Sequence, residues 1–150
     1  MSLFSSLDAS ASALTAERLR MDIISNNIAN ANTTRTEDGG PYRRQFPVFA
    51  PREADAGNTG RRPVPNSRMP QSTGVGVRVV AIEEDDAPPR LVYDPGHPDA
   101  DEQGMVAMPN VHPVREMVDL ISATRAYEAN VASINAFKSM TMKALEIGRG

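Results

Sequence analysis

Asp94, His97, Asp99, Asp101 and Glu102 place four carboxylates and an imidazole within nine residues. Oxygen and imidazole donors this close together are the kind of set that a divalent metal ion takes. The spacing fits no EF-hand loop, and Pro95, Gly96 and Pro98 among them read as an acidic turn in water. His112 stands at the expected start of the last helix, where a local backbone hydrogen bond occupies an imidazole more readily than catalysis does. Gly74-Val75-Gly76 opens a dinucleotide-like pattern, but Val79 stands where the third glycine belongs, which leaves a glycine-bearing strand. There is no G-x-S-x-G elbow, no phosphate-binding G-x-x-x-x-G-K-[ST] loop and no cysteine, so thiolate chemistry and disulfides are excluded. Asn32-Thr33-Thr34 matches a glycosylation acceptor, a pattern too short to carry weight. The reading is of a chain with no catalytic residues, no cofactor and no metal.

The elements that carry these residues are unevenly charged. The 150 residues hold 16 basic and 19 acidic groups, a formal −3. Residues 35–78 hold eight arginines against Glu37, Asp38, Glu53 and Asp55, a net of +4. Residues 79–112 hold only Arg90 against eight carboxylates, a net of −7. Such separation of sign guides association with a neighbour. The arginines have only Tyr42, Phe46 and Phe49 interleaved, and no recognition fold accompanies them, so no nucleic acid partner is expected. No apolar run is long enough to span a bilayer, and the N-terminus has neither the basic nor the apolar region of a secretory signal. The expectation is a soluble chain that does not leave the cell by the ordinary route.

Leu7, Leu14, Met21 and Ile28 recur every seventh position, with Leu3, Ala11 and Ile24 on the same side, and predict a helix that ends near residues 30–32. A second helix is predicted from about Pro113 to Glu146, with Pro113 in its first turn and Gly148 at its stop. Met117, Leu120, Thr124, Tyr127, Val131, Ile134, Lys138, Thr141 and Leu145 alternate steps of three and four along it, a coiled-coil seam diluted by two threonines and a lysine. Between the helices, residues 75–82 and 90–93 read as strands, joined as a hairpin across the polar, proline-bearing 83–89. Residues 42–50 supply a further strand, which Pro47 puts at an edge, and residues 51–73 read as a mobile loop.

The fold class is therefore α+β: long N- and C-terminal helices pairing as a coiled-coil-like layer, with a small central β insertion. Two helices and one hairpin cannot cover each other's apolar faces, and exposed stripes mean partners. Asn26 and Asn30 share a helix face; they read either as terminators or as polar contacts that fix register with a neighbouring subunit.

At these residues a family comes into view. Ser25-Asn26-Asn27-Ile28-Ala29-Asn30-Ala31-Asn32-Thr33-Thr34 resembles the N-terminal signature of the axial proteins of the bacterial flagellum, the rod, hook and hook-associated proteins. The runs from Thr34 to Arg44, Tyr93 to Asp101, Met108 to Val111, Pro113 to Asp119 and Arg125 to Val131 are similar to the proximal-rod branch of that family, in order along the whole chain. Met105 departs from it, at a place where the family pattern has an aromatic residue.

The resemblance implies a non-enzymatic structural subunit of the proximal rod, assembling helically into the periplasmic drive shaft that transmits torque for motility. It implies self-assembly, contact with other proximal-rod proteins, with the basal export-gate adaptor and with the distal-rod protein, and passage through the flagellar type III export apparatus without a cleaved signal. Residues 1–33 and 113–150 would form the inner axial layer and residues 34–112 an outer segment. The side chains expected to meet neighbouring subunits are Leu7, Leu14, Met21, Asn26, Ile28, Asn30, Leu120, Tyr127, Val131, Ile134 and Leu145. The competing reading is a cytoplasmic helical adaptor that dimerises through its terminal helices.

Overall fold

The computed structural model describes residues 3–37, 39–52 and 76–148. Helix α1 spans Leu3–Ala29 and helix α2 spans Pro113–Ile147. Between them lie β1 (Gln45–Pro51), β2 (Val77–Glu84), β3 (Arg90–Tyr93) and β4 (Met105–Met108). The α+β architecture expected from the sequence is present. The loop expected over 51–73 lies outside the described residues from residue 53 onward; its first residue, Pro51, closes β1.

The strands pair differently from the sequence reading. No hairpin joins residues 75–82 to 90–93: β1 pairs antiparallel with β2, and β3 with β4, in two separate two-stranded sheets. Asp85-Asp86-Ala87-Pro88-Pro89 explains the change. A tight hairpin turn needs residues that accept positive φ, whereas two consecutive prolines hold φ near −65° and carry the chain out of the sheet. Val80 is the extra residue of a bulge, since Val48 faces Ala81 while Phe49 faces Val79. β4 escaped the sequence reading because Met-Val-Ala-Met is a short apolar run with neither alternation nor β-branched and aromatic enrichment beyond Val106.

The helices are antiparallel: Asn27 lies against Glu116, and Met21 against Thr124 further along α2. The Thr124 hydroxyl gives its one hydrogen to the Leu120 carbonyl at 2.8 Å, so its 3.6 Å approach to Met21 Sδ is a packing contact. At 27 residues against 35, α1 is about 40 Å long and α2 about 52 Å, so the last turns of α2 run past the start of α1. The buried stripe of α1 is Ala16, Ile23, Ile24 and Asn27, continued by Ala31; Leu7, Leu14, Met21 and Ile28 are half-buried. A helix covered by α2 on one flank and by β1 and β2 on another spreads its apolar residues over two faces. The seam of α2 is likewise rotated. Glu116 and Ala123 are its buried members, Leu120, Thr124, Tyr127, Val131 and Ile134 are half-buried, and Met117, Lys138, Thr141 and Leu145 are exposed. Among the described residues no helix is long and apolar enough to cross a membrane.

Ser12 fastens the first sheet to α1. Its hydroxyl donates to the Ala9 carbonyl at 2.7 Å and accepts the Val77 amide at 3.0 Å. The preceding residue, Gly76, has φ +127°, and a Cβ there would run into the Ser12 hydroxyl. Both the conformation and the close approach require glycine. Gly76→Ala is expected to lower stability by about 1–3 kcal/mol, read as a fall in the urea midpoint of the purified chain.

Candidate functional site

A network of polar groups holds the two helices and the first sheet in one arrangement. Asn27 and Glu116 have no solvent exposure. Each comes from an apolar helix face: Asn27 one turn beyond Ile23 and Ile24, Glu116 one turn before Leu120. The Asn27 amide uses its full capacity. Its Oδ1 accepts the Gln45 backbone N–H at 2.9 Å and the Tyr42 hydroxyl at 2.9 Å. Its Nδ2 donates to the Gln45 carbonyl at 2.8 Å and to Glu116 Oε2 at 3.2 Å. The side chain thus pairs with Gln45 as a neighbouring strand would, at the first residue of β1.

Arg44 neutralises the buried carboxylate. Its Nε donates to Glu116 Oε1 at 2.6 Å, and its NH2 lies 3.7 Å from Asp119 Oδ2. The Arg44 backbone N–H donates to Asn110 Oδ1 at 2.9 Å, which ties the approach to α2 to the approach to β1. Burial, and then the carboxylates of Glu84 and Glu116, push the Tyr42 phenol above its ordinary value of 10.0. Tyr42 therefore remains a neutral donor to Asn27 at physiological pH.

The residues singled out from sequence fall elsewhere. Asn30 bonds within its own helix end, donating to the Asn26 carbonyl at 2.9 Å and to Asn26 Oδ1 at 3.0 Å, and Asn26 is exposed. The amide fixed between elements is Asn27, one residue along from Asn26. The acidic cluster is turn machinery. Asp94 Oδ1 accepts the Gly96 amide, Asp101 Oδ1 accepts those of Gln103 and Met105, and His97 Nδ1 accepts that of Asp99. Asp99 Oδ2 accepts the Thr34 hydroxyl at 2.8 Å, holding this loop against the segment after α1. Among the described residues no group of three or more such side chains is placed to hold a metal ion. His112 precedes α2 with no side-chain cap; its carbonyl accepts the first helical amide, from Glu116. Within the basic stretch, Arg44 is committed to Glu116, and Arg43 lies 3.8 Å from Asp86, while Arg61, Arg62 and Arg68 lie outside the described residues.

Sequence reasoning missed Asn27, Tyr42, Arg44 and Glu116 as a unit. The available signal was phase: an amide and a carboxylate stand on the apolar faces of two helices, and such groups need buried partners.

What this node leaves uncovered is apolar. Val114, Met117, Val118 and Ile121 form a stripe on the first turns of α2, each more than half exposed. Met140, Met142, Leu145 and Ile147 are exposed on its overhanging end. Patches of this kind are interaction surfaces.

Comparison with known proteins fits these open faces. The family described as "Flagella basal body rod protein" matches residues 7–35, and that described as "Flagellar basal body rod FlgEFG protein C-terminal" matches residues 102–147. "Flagellar basal-body rod protein FlgC" of Borreliella burgdorferi is 53% identical over 154 residues, covering 100% of both chains. Its namesake from Bacillus subtilis is 50% identical, covering 99% of this chain and 100% of its own, and that from Salmonella typhimurium 42%, with the same coverage. The chain belongs to the flagellar basal-body rod protein family. The rod-family helix segments are those that meet at Asn27 and Glu116, and the stripe from Val114 to Ile121 lies within the second matched region.

Removing one member of a buried ion pair leaves a charge stranded. Glu116→Ala is expected to cost about 3–5 kcal/mol in urea unfolding, more than removal of the exposed Glu128. Tyr42 carries a pH signature. Its folded pKa lies above the unfolded value, so its contribution is fully present below pH 10 and is lost as pH rises through the folded value. Tyr42→Phe is expected to lower stability at pH 7 by about 1 kcal/mol and to flatten the alkaline part of the stability profile.

Proposed function

We propose that this chain is a structural subunit of the flagellar basal-body rod, with no catalytic activity of its own. In this reading it assembles with copies of itself and with other rod proteins into the proximal part of the periplasmic drive shaft. Its relatives' names and the two rod-family matches support this role over a cytoplasmic adaptor. In this proposal α1 and α2 form the inner layer, and the described part of residues 34–112 faces outward. Passage through the flagellar export apparatus, and neighbours that include the export-gate adaptor below and the distal rod above, belong to the same proposal.

The single observation that carries the assembly reading is the exposed stripe of Val114, Met117, Val118 and Ile121 on a helix already packed along its opposite side. Single apolar residues on a surface are ordinary, but four on one face at steps of three, one and three are an unfilled helix contact. In this proposal the subunit-facing set expected from sequence forms the flanks of the helix pair. Leu7, Leu14, Met21, Ile28, Leu120, Tyr127, Val131 and Ile134 are half-buried and offer their open edges to a neighbour, Leu145 stands on the overhang, and Asn26 and Asn30 mark the far end of α1.

Ile121→Asp separates assembly from folding because Ile121 is already exposed. The purified variant is expected to melt within a few degrees of the wild type, yet to be absent from isolated basal bodies, with motility lost. Normal incorporation and swimming would sink the assigned stripe.

A further inference from the structure

The faces of the helix pair do not use the chemistry of the outer segment. Where the outer segment meets α1, a groove of about 540 Å³ runs between α1 and the start of β2, and it is mostly apolar, with Ala16, Leu19, Val77 and Val79 among its lining. Arg18, Arg52 and Arg78 stand on it against Asp22 alone, and none of the three makes an ion pair among the described residues. Elsewhere on the chain the β3–β4 sheet offers the opposite. Leu91 and Tyr93 alternate on one face of β3, 61% and 69% exposed, while Val106 across the ladder is fully buried. Asp94, Asp99, Asp101 and Glu102 follow in the connecting loop, whose closing Gly104 (φ +74°) comes close under the Tyr93 ring. A sheet that turns one face inward and leaves a leucine and a tyrosine on the other, beside four carboxylates, presents an anchor with an acidic rim.

We propose that the Leu91–Tyr93 face of one copy seats in the Arg-rimmed groove of a second copy. The two surfaces match in polarity at the centre and in opposite charge at the edge. They cannot meet within one chain, because β3 and β4 approach neither α1 nor β2. Patch and groove are different surfaces, so the contact is heterologous: each copy gives a patch to one neighbour and a groove to another, and the contact repeats from copy to copy. This rests on the rod reading and adds to it a lateral contact between the outer segment of one copy and the groove between α1 and β2 of the next, independent of the helix stripe.

The absence of cysteine from the chain makes the test direct. Cells lacking the native protein would co-express two differently tagged full-length variants, Tyr93→Cys and Thr15→Cys; Thr15 lines the groove. Isolated basal bodies would then be treated with a short bis-maleimide. The expected result is a mixed-tag dimer that neither variant gives alone. In parallel, Arg78→Glu and Glu102→Arg are each expected to lower the amount in basal bodies about tenfold, and the double variant to restore it. Rods that contain both cysteine variants but no mixed dimer would overturn the contact, as would cross-linking of the Tyr93→Cys variant to a different protein instead. If the cysteine variants do not enter rods, the charge pair decides, and failure of the double variant to recover overturns the contact. Absence of the wild-type chain from basal bodies would overturn the rod reading and this contact with it, a result distinct from an assembled rod without the cross-link.

Discussion

A carboxylate without solvent exposure cannot be left alone in a protein interior, and Glu116 has none. Its two oxygens are taken by Arg44, from the segment before β1, and by Asn27, from the end of α1. Three stretches far apart in the chain therefore meet at one point. Such a pair adds little net stability over an apolar core of the same shape, because desolvation offsets attraction. What it supplies here is geometry. An apolar contact between α1 and α2 tolerates sliding and rotation, whereas Asn27 with four satisfied bonds tolerates neither.

The arrangement of β1 follows from the same place. Asn27 reads both the N–H and the carbonyl of Gln45, so β1 begins at a fixed height on α1. Pairing then carries that position to β2, and Ser12 with Gly76 fastens the other end of the sheet two turns into α1. The sheet is pinned at both ends by single polar side chains, with Phe46, Val48 and Val79 between them. That economy suits a chain low in aromatics, with a 5% share. It also leaves room between pins, which is where the groove beside Leu19 and Val79 lies.

Once these contacts are fixed, the uncovered surface is fixed too. α2 is longer than α1, so its last turns have nothing among the described residues to lie on. Its first turns are covered only on the side of Glu116, and Val114, Met117, Val118 and Ile121 face away. For a subunit in an extended shaft, a lone chain with unfinished faces is the expected state. A two-fold contact would satisfy a surface with its own copy, whereas different surfaces on one chain satisfy each other head to tail, from one copy to the next.

The sequence by itself determined the two helices and the class of fold. Seven-residue spacing, Pro113 and Gly148 are local signals, and helices are local structures whose hydrogen bonds close within four residues. It also determined the family, through short runs such as Ser25 to Thr34 that carry their identity without any knowledge of contacts. Strand pairing was decided only by the tertiary structure. Residues 77–84 and 90–93 were legible as strands, but which strand pairs with which depends on where Pro88 and Pro89 send the chain, and on a partner more than 25 positions upstream. The acidic cluster looked like a ligand set because composition shows donors; only the fold shows that backbone amides engage Asp94 and Asp101 and that the Thr34 hydroxyl engages Asp99. Asn26 and Asn30 drew the eye rather than Asn27 because, four apart, they share a helix face. A rotation of about 100° per residue separates the exposed from the buried, and no local pattern shows which side β1 will cover.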